Sequence, residues 1–130
     1  MEFFFDENFD NNIPDALNLI EKLEGKHSVS PTRRIFKPGI KDPNLIPKIS
    51  KKKGVLVTFD RKALKAHIKL LKRHKVSVFA LSFGSEKYSE KVHLILKSWK
   101  LIKEKVELHE NLKQRPYFYK VSNNGLKEWK

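Results

Sequence analysis

Val55-Leu56-Val57-Thr58-Phe59-Asp60, together with its counterpart Phe3-Phe4-Phe5-Asp6-Glu7-Asn8 near the start of the chain, decides the fold. Each run is apolar, too short for a helix and closed by polar residues, which suits a strand buried on both faces, as in a parallel sheet. Each is followed by a helical pattern. Strand, helix, strand implies a right-handed crossover that brings the carboxyl ends of both strands to one edge of the sheet. Asp6 and Asp60 are therefore expected to converge there. Two carboxylates in one crevice repel each other unless a cation or a shared proton relieves them.

Composition narrows the classes. The 130 residues are expected to form a single domain, residues 1–130, long enough to bury a core. No apolar stretch approaches the roughly 20 residues of a membrane span, and the amino terminus carries acids where a signal peptide carries basic residues. A cytoplasmic protein is the expectation. The chain has no cysteine, which excludes disulfides and thiolate metal sites, and its five histidines show no paired ligand spacing. Any metal must rest on oxygen.

The net charge of +13 is unevenly spread: residues 1–24 hold seven acids and one basic residue, leaving 27 basic and eight acidic residues in 25–130. A field of that sign attracts polyanions, and counterion release from a phosphate backbone is the commonest use of such a surface. Excess lysine that only keeps the chain dissolved is the plainer reading. Acids clustered against a basic background favour a metal-lined cleft beside nucleic acid.

Between the two strands, Asp10-Asn11-Asn12 offers caps, Pro14 suits a first helical turn, and Ile13, Ala16, Leu17, Ile20 and Leu23 follow the helical period until Gly25. His27-Ser28-Val29-Ser30 reads as a weak second strand. Pro31 to Lys41 has prolines, a glycine and basic residues but no period, so it reads as a loop, lying along a phosphate backbone or simply solvated. Asp42-Pro43-Asn44 opens a second helix with Leu45, Ile46 and Ile49 on its apolar face, weakened at Pro47 and closed by Lys51-Lys52-Lys53-Gly54.

Beyond the middle strand, Arg61 to His74 has Leu64, His67, Ile68 and Leu71 on one helical face and lysines opposite, and His67 there reads as a core-edge residue. Val76 to Phe83 is a strand. Gly84-Ser85 then leads into a long helix whose first turn carries Glu86 and whose Tyr88, Val92, Ile95, Trp99, Ile102 and Val106 should face the sheet. Leu94, Leu101 and Leu108, seven apart, lie near its other side, where they pack under the carboxyl-terminal segment or form a homodimer or other partner surface. The tail from Gln114 to Gly125 reads as an edge strand followed by a turn, its aromatics packing on a helix or stacking on unpaired bases. There is no internal repeat and no low-complexity tract.

Strands alternating with helices give an α/β fold, a three-layer α/β/α sandwich with a mostly parallel, doubly wound sheet. Ligands bind such sheets at the carboxyl edge. The acids expected there are Asp6, Glu7, Asp42 and Asp60. Carboxylates without histidine are hard oxygen ligands that suit magnesium or manganese and not zinc. A hard cation beside a basic surface means phosphate chemistry. Taken singly, Asp42 and Asp60 also read as helix caps, and strand alternation turns Glu7 away from Asp6.

Phe5-Asp6-Glu7-Asn8, Gly39-Ile40-Lys41-Asp42 and Val55 to Asp60, in this order and spacing, resemble the PIN-like ribonuclease superfamily, over about residues 2 to 83, and within it the small stand-alone branch that includes VapC-like toxins of toxin-antitoxin pairs. The resemblance implies that Asp6, Asp42 and Asp60 hold one or two divalent ions for phosphodiester hydrolysis, with Asn8 and Thr58 as motif support. It implies RNA as substrate and an antitoxin protein as partner. Lys62 stands where many relatives carry a further acid, and Glu7 or Glu86 is the candidate replacement. Arg33, Arg34, Lys41, Arg61 and Lys62 are the basic residues expected to position the RNA backbone.

Two other classes fit parts of the pattern. A PIN-like module that binds RNA or a partner without cutting it has no need to retain an ion, so a metal titration separates the two. A receiver domain also has acids after its first strand and an aspartate after its third, with Ser82 and Lys120 as its later residues. The basic charge argues against it, and acetyl-phosphate labelling of Asp60 tests it.

Overall fold

The computed structural model describes residues 1–6, 9–39, 42–59, 61–82 and 87–129, with Asp42, Arg61 and Ala63 described by their backbone alone. Six strands form one sheet: β1 (Glu2–Phe5), β2 (Ser28–Pro31), β3 (Val55–Thr58), β4 (Ser77–Leu81), β5 (Phe118–Ser122) and β6 (Gly125–Glu128). Their spatial order is β2-β1-β3-β4-β5-β6. The first five run parallel and β6 turns back against β5. The helices are α1 (Asn12–Glu24), α2 (Thr32–Ile35), α3 (Asp42–Lys51), α4 (Arg61–His74) and α5 (Tyr88–Asn111).

Strand alternation builds the three layers. Phe3 and Phe5 of β1 enter one core with Val55, Val57, Phe79 and the α1 and α5 residues Ile13, Leu17, Ile95 and Trp99. Phe4, on the other side of the pleat, enters a second core with Leu56, Val78 and the α3 and α4 residues Leu45, Ile46, Ile49, Leu64 and Leu71. An α/β/α sandwich results, with α1 and α5 on one face and α3 and α4 on the other. Gly54 lets the chain pass against β1, since a Cβ there would sit 2.4 Å from Cε2 of Phe4.

The structure departs from the sequence reading in several places. First, α1 buries Ile13, Pro14, Leu17 and Glu21, while Ile20 and Leu23 face outward. The buried stripe continues through an acid because Nε1 of Trp99 and Nζ of Lys103 each donate to Oε1 of Glu21 at 2.8 Å. Second, the segment expected as a loop contains α2, a single turn.

Third, β5 is internal, not an edge, because Ser122-Asn123-Asn124-Gly125 folds as a hairpin that adds β6 outside it. Tyr117, Phe118 and Tyr119 are consequently buried and present no ring to a base. Fourth, Leu94 is buried, at 4% exposure, whereas Leu101 and Leu108 are 43% and 49% exposed. Leu94 therefore belongs to the domain's own packing, and Leu101 and Leu108 are the members of the row at the surface.

At the other side of the sheet, β2 is covered from α1: Oδ1 of Asn18 accepts the Val29 amide at 2.9 Å. Pro31 ends the strand. Among the described residues no helix is long and apolar enough to cross a membrane.

Candidate functional site

The register of β1 on β3 sets the site. Phe5 pairs with Val57, so the next residues, Asp6 and Thr58, meet at the carboxyl edge. The Asp6 amide donates to the Val57 carbonyl at 3.2 Å, continuing the ladder by one step. Thr58 is buried and donates its hydroxyl to Oδ2 of Asp6. A half-buried carboxylate is thereby fixed in place at the end of a central strand.

The helices bring two more chain segments to this edge. α3 ends at Lys51, just before β3 begins at Val55. Its ten residues span about 15 Å and the four residues of β3 about 13 Å, so the Asp42 end of α3 lies level with the carboxyl end of the strand. α4 starts at Arg61, directly after that end. Glu7, Asn8, Lys41, Asp60 and Glu86 lie outside the described residues, as do the side chains of Asp42 and Arg61. Of the proposed ligands, Asp6 alone has a described side chain, and among the described residues no group of three or more His, Asp or Glu is placed to hold a metal.

Further residues gather next to Asp6 in the chain and beyond it, beginning with Phe9, whose amide donates to the Asp6 carbonyl at 3.2 Å. The rings of Phe9 and Phe59 stack at 3.8 Å and 24°, and Phe5 meets Phe9 edge-on at 4.7 Å. Nζ of Lys91, from the first turn of α5, lies 5.4 Å from the Phe59 ring centroid. The Tyr88 hydroxyl donates to Oδ1 of Asp10 at 3.3 Å, and the same oxygen accepts the Asn12 amide at 2.8 Å. Tyr88 was expected to face the sheet but is 52% exposed. Desolvation, with the charge and hydrogen bond of Asp10 behind it, raises the Tyr88 pKa above its ordinary value. The start of α5 thus overhangs the edge where β1 and β3 end.

The basic candidates divide. Arg33 donates to the Phe9 carbonyl at 3.2 Å, tying α2 to the segment after β1. Arg34 grips Asp15 with two bonds of 2.5 and 3.0 Å, and chiefly that hydrogen bonding holds the Asp15 carboxyl below its ordinary range. Lys62 is exposed on α4. Lys37 of the basic loop, Lys48, and Lys51, read from the sequence as closing the helix, line one cavity of about 550 Å³ with Asn44 and Pro47. That cavity lies along α3, whose first residue is Asp42.

No curated protein and no solved structure matches this chain. A family model described as PIN like domain matches residues 1–83, the span from β1 through β4 that includes Asp6, Asp42, Thr58 and Asp60. PIN-like domains are in general a nuclease fold and typically use divalent metals. With an acid fixed at the end of β1, a mostly parallel three-layer sandwich and a match over more than half of its length, the chain belongs to the PIN-like domain family.

Proposed function

We propose that the chain is a magnesium- or manganese-dependent endoribonuclease that cuts single-stranded RNA with the acids at the carboxyl edge of its sheet. The observation that carries this is the Thr58 hydroxyl holding the Asp6 carboxylate at the end of β1, in a PIN-like chain of net charge +13. The donors fit a hard divalent ion. Asp6, Asp42 and Asp60, with Glu7 as a fourth, offer only carboxylate oxygen, and the chain has no thiolate to offer.

When bound, such an ion supplies Lewis acidity that stabilises charge on the phosphate and makes water more acidic. The chain's own residues do the rest. Thr58 restricts Asp6 to one orientation, so no reorganisation is needed as charge develops. Lys62 at the start of α4 and Lys91 at the start of α5 flank the edge with cations suited to a phosphate backbone, which give affinity without sequence information. The acids keep the reacting phosphate from sitting there without the ion.

A toxin of a VapC-like pair is the role that the resemblance of the sequence implies, and a neighbouring reading frame for a small antitoxin is the observation that tests this part. Lys62, where many relatives carry an acid, supports a second reading, an RNA-binding module that does not cut. The decisive assay compares cleavage of a mixed RNA pool with magnesium, with manganese and with chelator. Activity only with metal is expected. Equal activity in chelator overturns the metal mechanism, and metal-independent binding without cleavage establishes the second reading.

A further inference from the structure

The amino edge of the sheet, opposite the acids, holds a recurrent and unusual helix ending. A helix that stops in a Schellman motif places one residue in the left-handed region, normally glycine, because any Cβ there is strained. α1 obeys this with Gly25 at φ 71°. The next three long helices do not. α3 ends with bonds from Gly54 N–H to the Ile49 carbonyl and from Lys53 N–H to Ser50, with Lys53 at φ 54°. α4 ends with Val76 to Leu71 and Lys75 to Lys72, with Lys75 at φ 54°, and α5 with Gln114 to His109 and Lys113 to Glu110, with Lys113 at φ 55°. Among the described residues these three lysines are the only non-glycine residues with positive φ.

All three line one cavity of about 460 Å³. Its frame is tied together: Arg115 takes Glu110 with two bonds of 2.9 and 2.8 Å and donates to the Lys53 carbonyl at 2.6 Å, while Ser50 of α3 donates to the His74 carbonyl at 2.7 Å. The Glu110 charge is answered by Arg115. Lys53, Lys75 and Lys113 are exposed and pair with no carboxylate among the described residues.

Helix dipoles do not account for them. Cations already occupy the last turns of α3, at Lys48 and Lys51, and of α4, at Lys72 and Arg73. Glycine in the left-handed position would leave that compensation intact without the strain. The rest of the cavity lining is Ser50, His74, Glu110 and Arg115, with no Phe, Tyr, Trp, Leu, Ile or Val, so it is polar throughout. Three lysines lining one polar cavity suit a compact anion with several oxygens.

We propose that the amino edge of the sheet carries a second site that binds phosphate groups through Lys53, Lys75 and Lys113, either those of an RNA strand or those of a free polyphosphate. The site stands apart from the carboxyl-edge acids and does not depend on the nuclease reading.

The test replaces all three lysines by glycine, which suits the left-handed conformation, so thermal melting should stay level or rise. A second variant, with Lys22, Lys26 and Lys97 changed to alanine, removes the same charge elsewhere. Binding of a labelled single-stranded oligoribonucleotide and of inorganic tripolyphosphate is measured in chelator, where no cleavage occurs. The glycine variant should lose tenfold or more in affinity for at least one probe, and the alanine variant less than threefold. If the strand is the occupant, the slope of log affinity against log salt should fall by about 2, as loss of three phosphate contacts requires. Loss for tripolyphosphate alone identifies a free phosphate ligand. Unchanged binding of both probes, or equal loss in the two variants, overturns the proposal. Metal-dependent cleavage by the same proteins reports separately on the acid site.

Discussion

Thr58 donates its hydroxyl to the Asp6 carboxylate across the boundary between β1 and β3. A hydrogen bond to a charged group contributes about 1.5–3 kcal/mol. Thr58→Val keeps the shape of the buried side chain and removes the donor, so cleavage should fall about 10- to 100-fold. Thr58→Ser should retain most of it. Cleavage rates at saturating metal, beside melting curves for all three proteins, decide this. A Thr58→Val protein with full activity would show that Asp6 needs no anchoring.

Asp60→Asn should abolish cleavage and leave the metal-free protein at least as stable. In the proposed site the carboxylates share one edge and repel, and the amide keeps the shape without the charge. Asp6→Asn should behave alike, since its amide oxygen still accepts from Thr58. Thermal melts in chelator check the second half. A marked drop for Asp60→Asn would assign that residue to capping α4 instead.

Glu21 is fully buried between α1 and α5, where Trp99 and Lys103 both donate to it. Burial works against its charge, but those two hydrogen bonds and the Lys103 cation outweigh it, and the Glu21 pKa lies below its ordinary value. The sign follows. Its stabilisation is complete above the unfolded-state pKa and is lost as pH falls through the lower folded-state value. Glu21→Gln should destabilise the protein by about 1–3 kcal/mol at neutral pH, with the difference from the parent shrinking in acid. Urea unfolding at neutral and acidic pH measures both.

Leu101 and Leu108 are the members of the α5 row that a partner is able to reach. We expect Leu101→Lys with Leu108→Lys to disrupt any assembly seen by light scattering while circular dichroism stays unchanged. An unaltered assembly state would remove this face as a partner surface. Loss of the dichroism signal would show instead that the half-exposed leucines still contribute to the α5 packing.

The legible part of the fold was the part written in continuous apolar runs. β1, β3 and β4 were readable because a strand buried on both faces needs no alternation, and α3 and α4 because caps and period agreed. α1 was misread on one face because Glu21, an acid, occupies the buried position that periodicity assigns to an apolar residue. α2 has four residues, too few to show a period. β6 carries Lys127 and Glu128 and looks like a tail until the Asn123-Asn124 turn pairs it with β5. At the site, Asp6 was legible as the end of the first strand, whereas Thr58 entered only as motif support and the register that joins the two was not. Lys91 and Tyr88 were not, since nothing local shows that α5 reaches back over that edge. The three lysine-ended helices were hidden for the opposite reason: the usual mark of such an ending is glycine.

The β2 margin bears on how another chain is able to dock. Backbone groups of successive strand residues point alternately to the two neighbours. Ser28 donates inward to Met1, so Val29 and residue 31 are the outward-facing positions. The Val29 amide is already taken by Asn18, and residue 31 is proline, which has no amide hydrogen. This margin therefore has no backbone donor left to offer, only carbonyl acceptors, which disfavours lengthening the sheet there by a borrowed strand or a growing fibril.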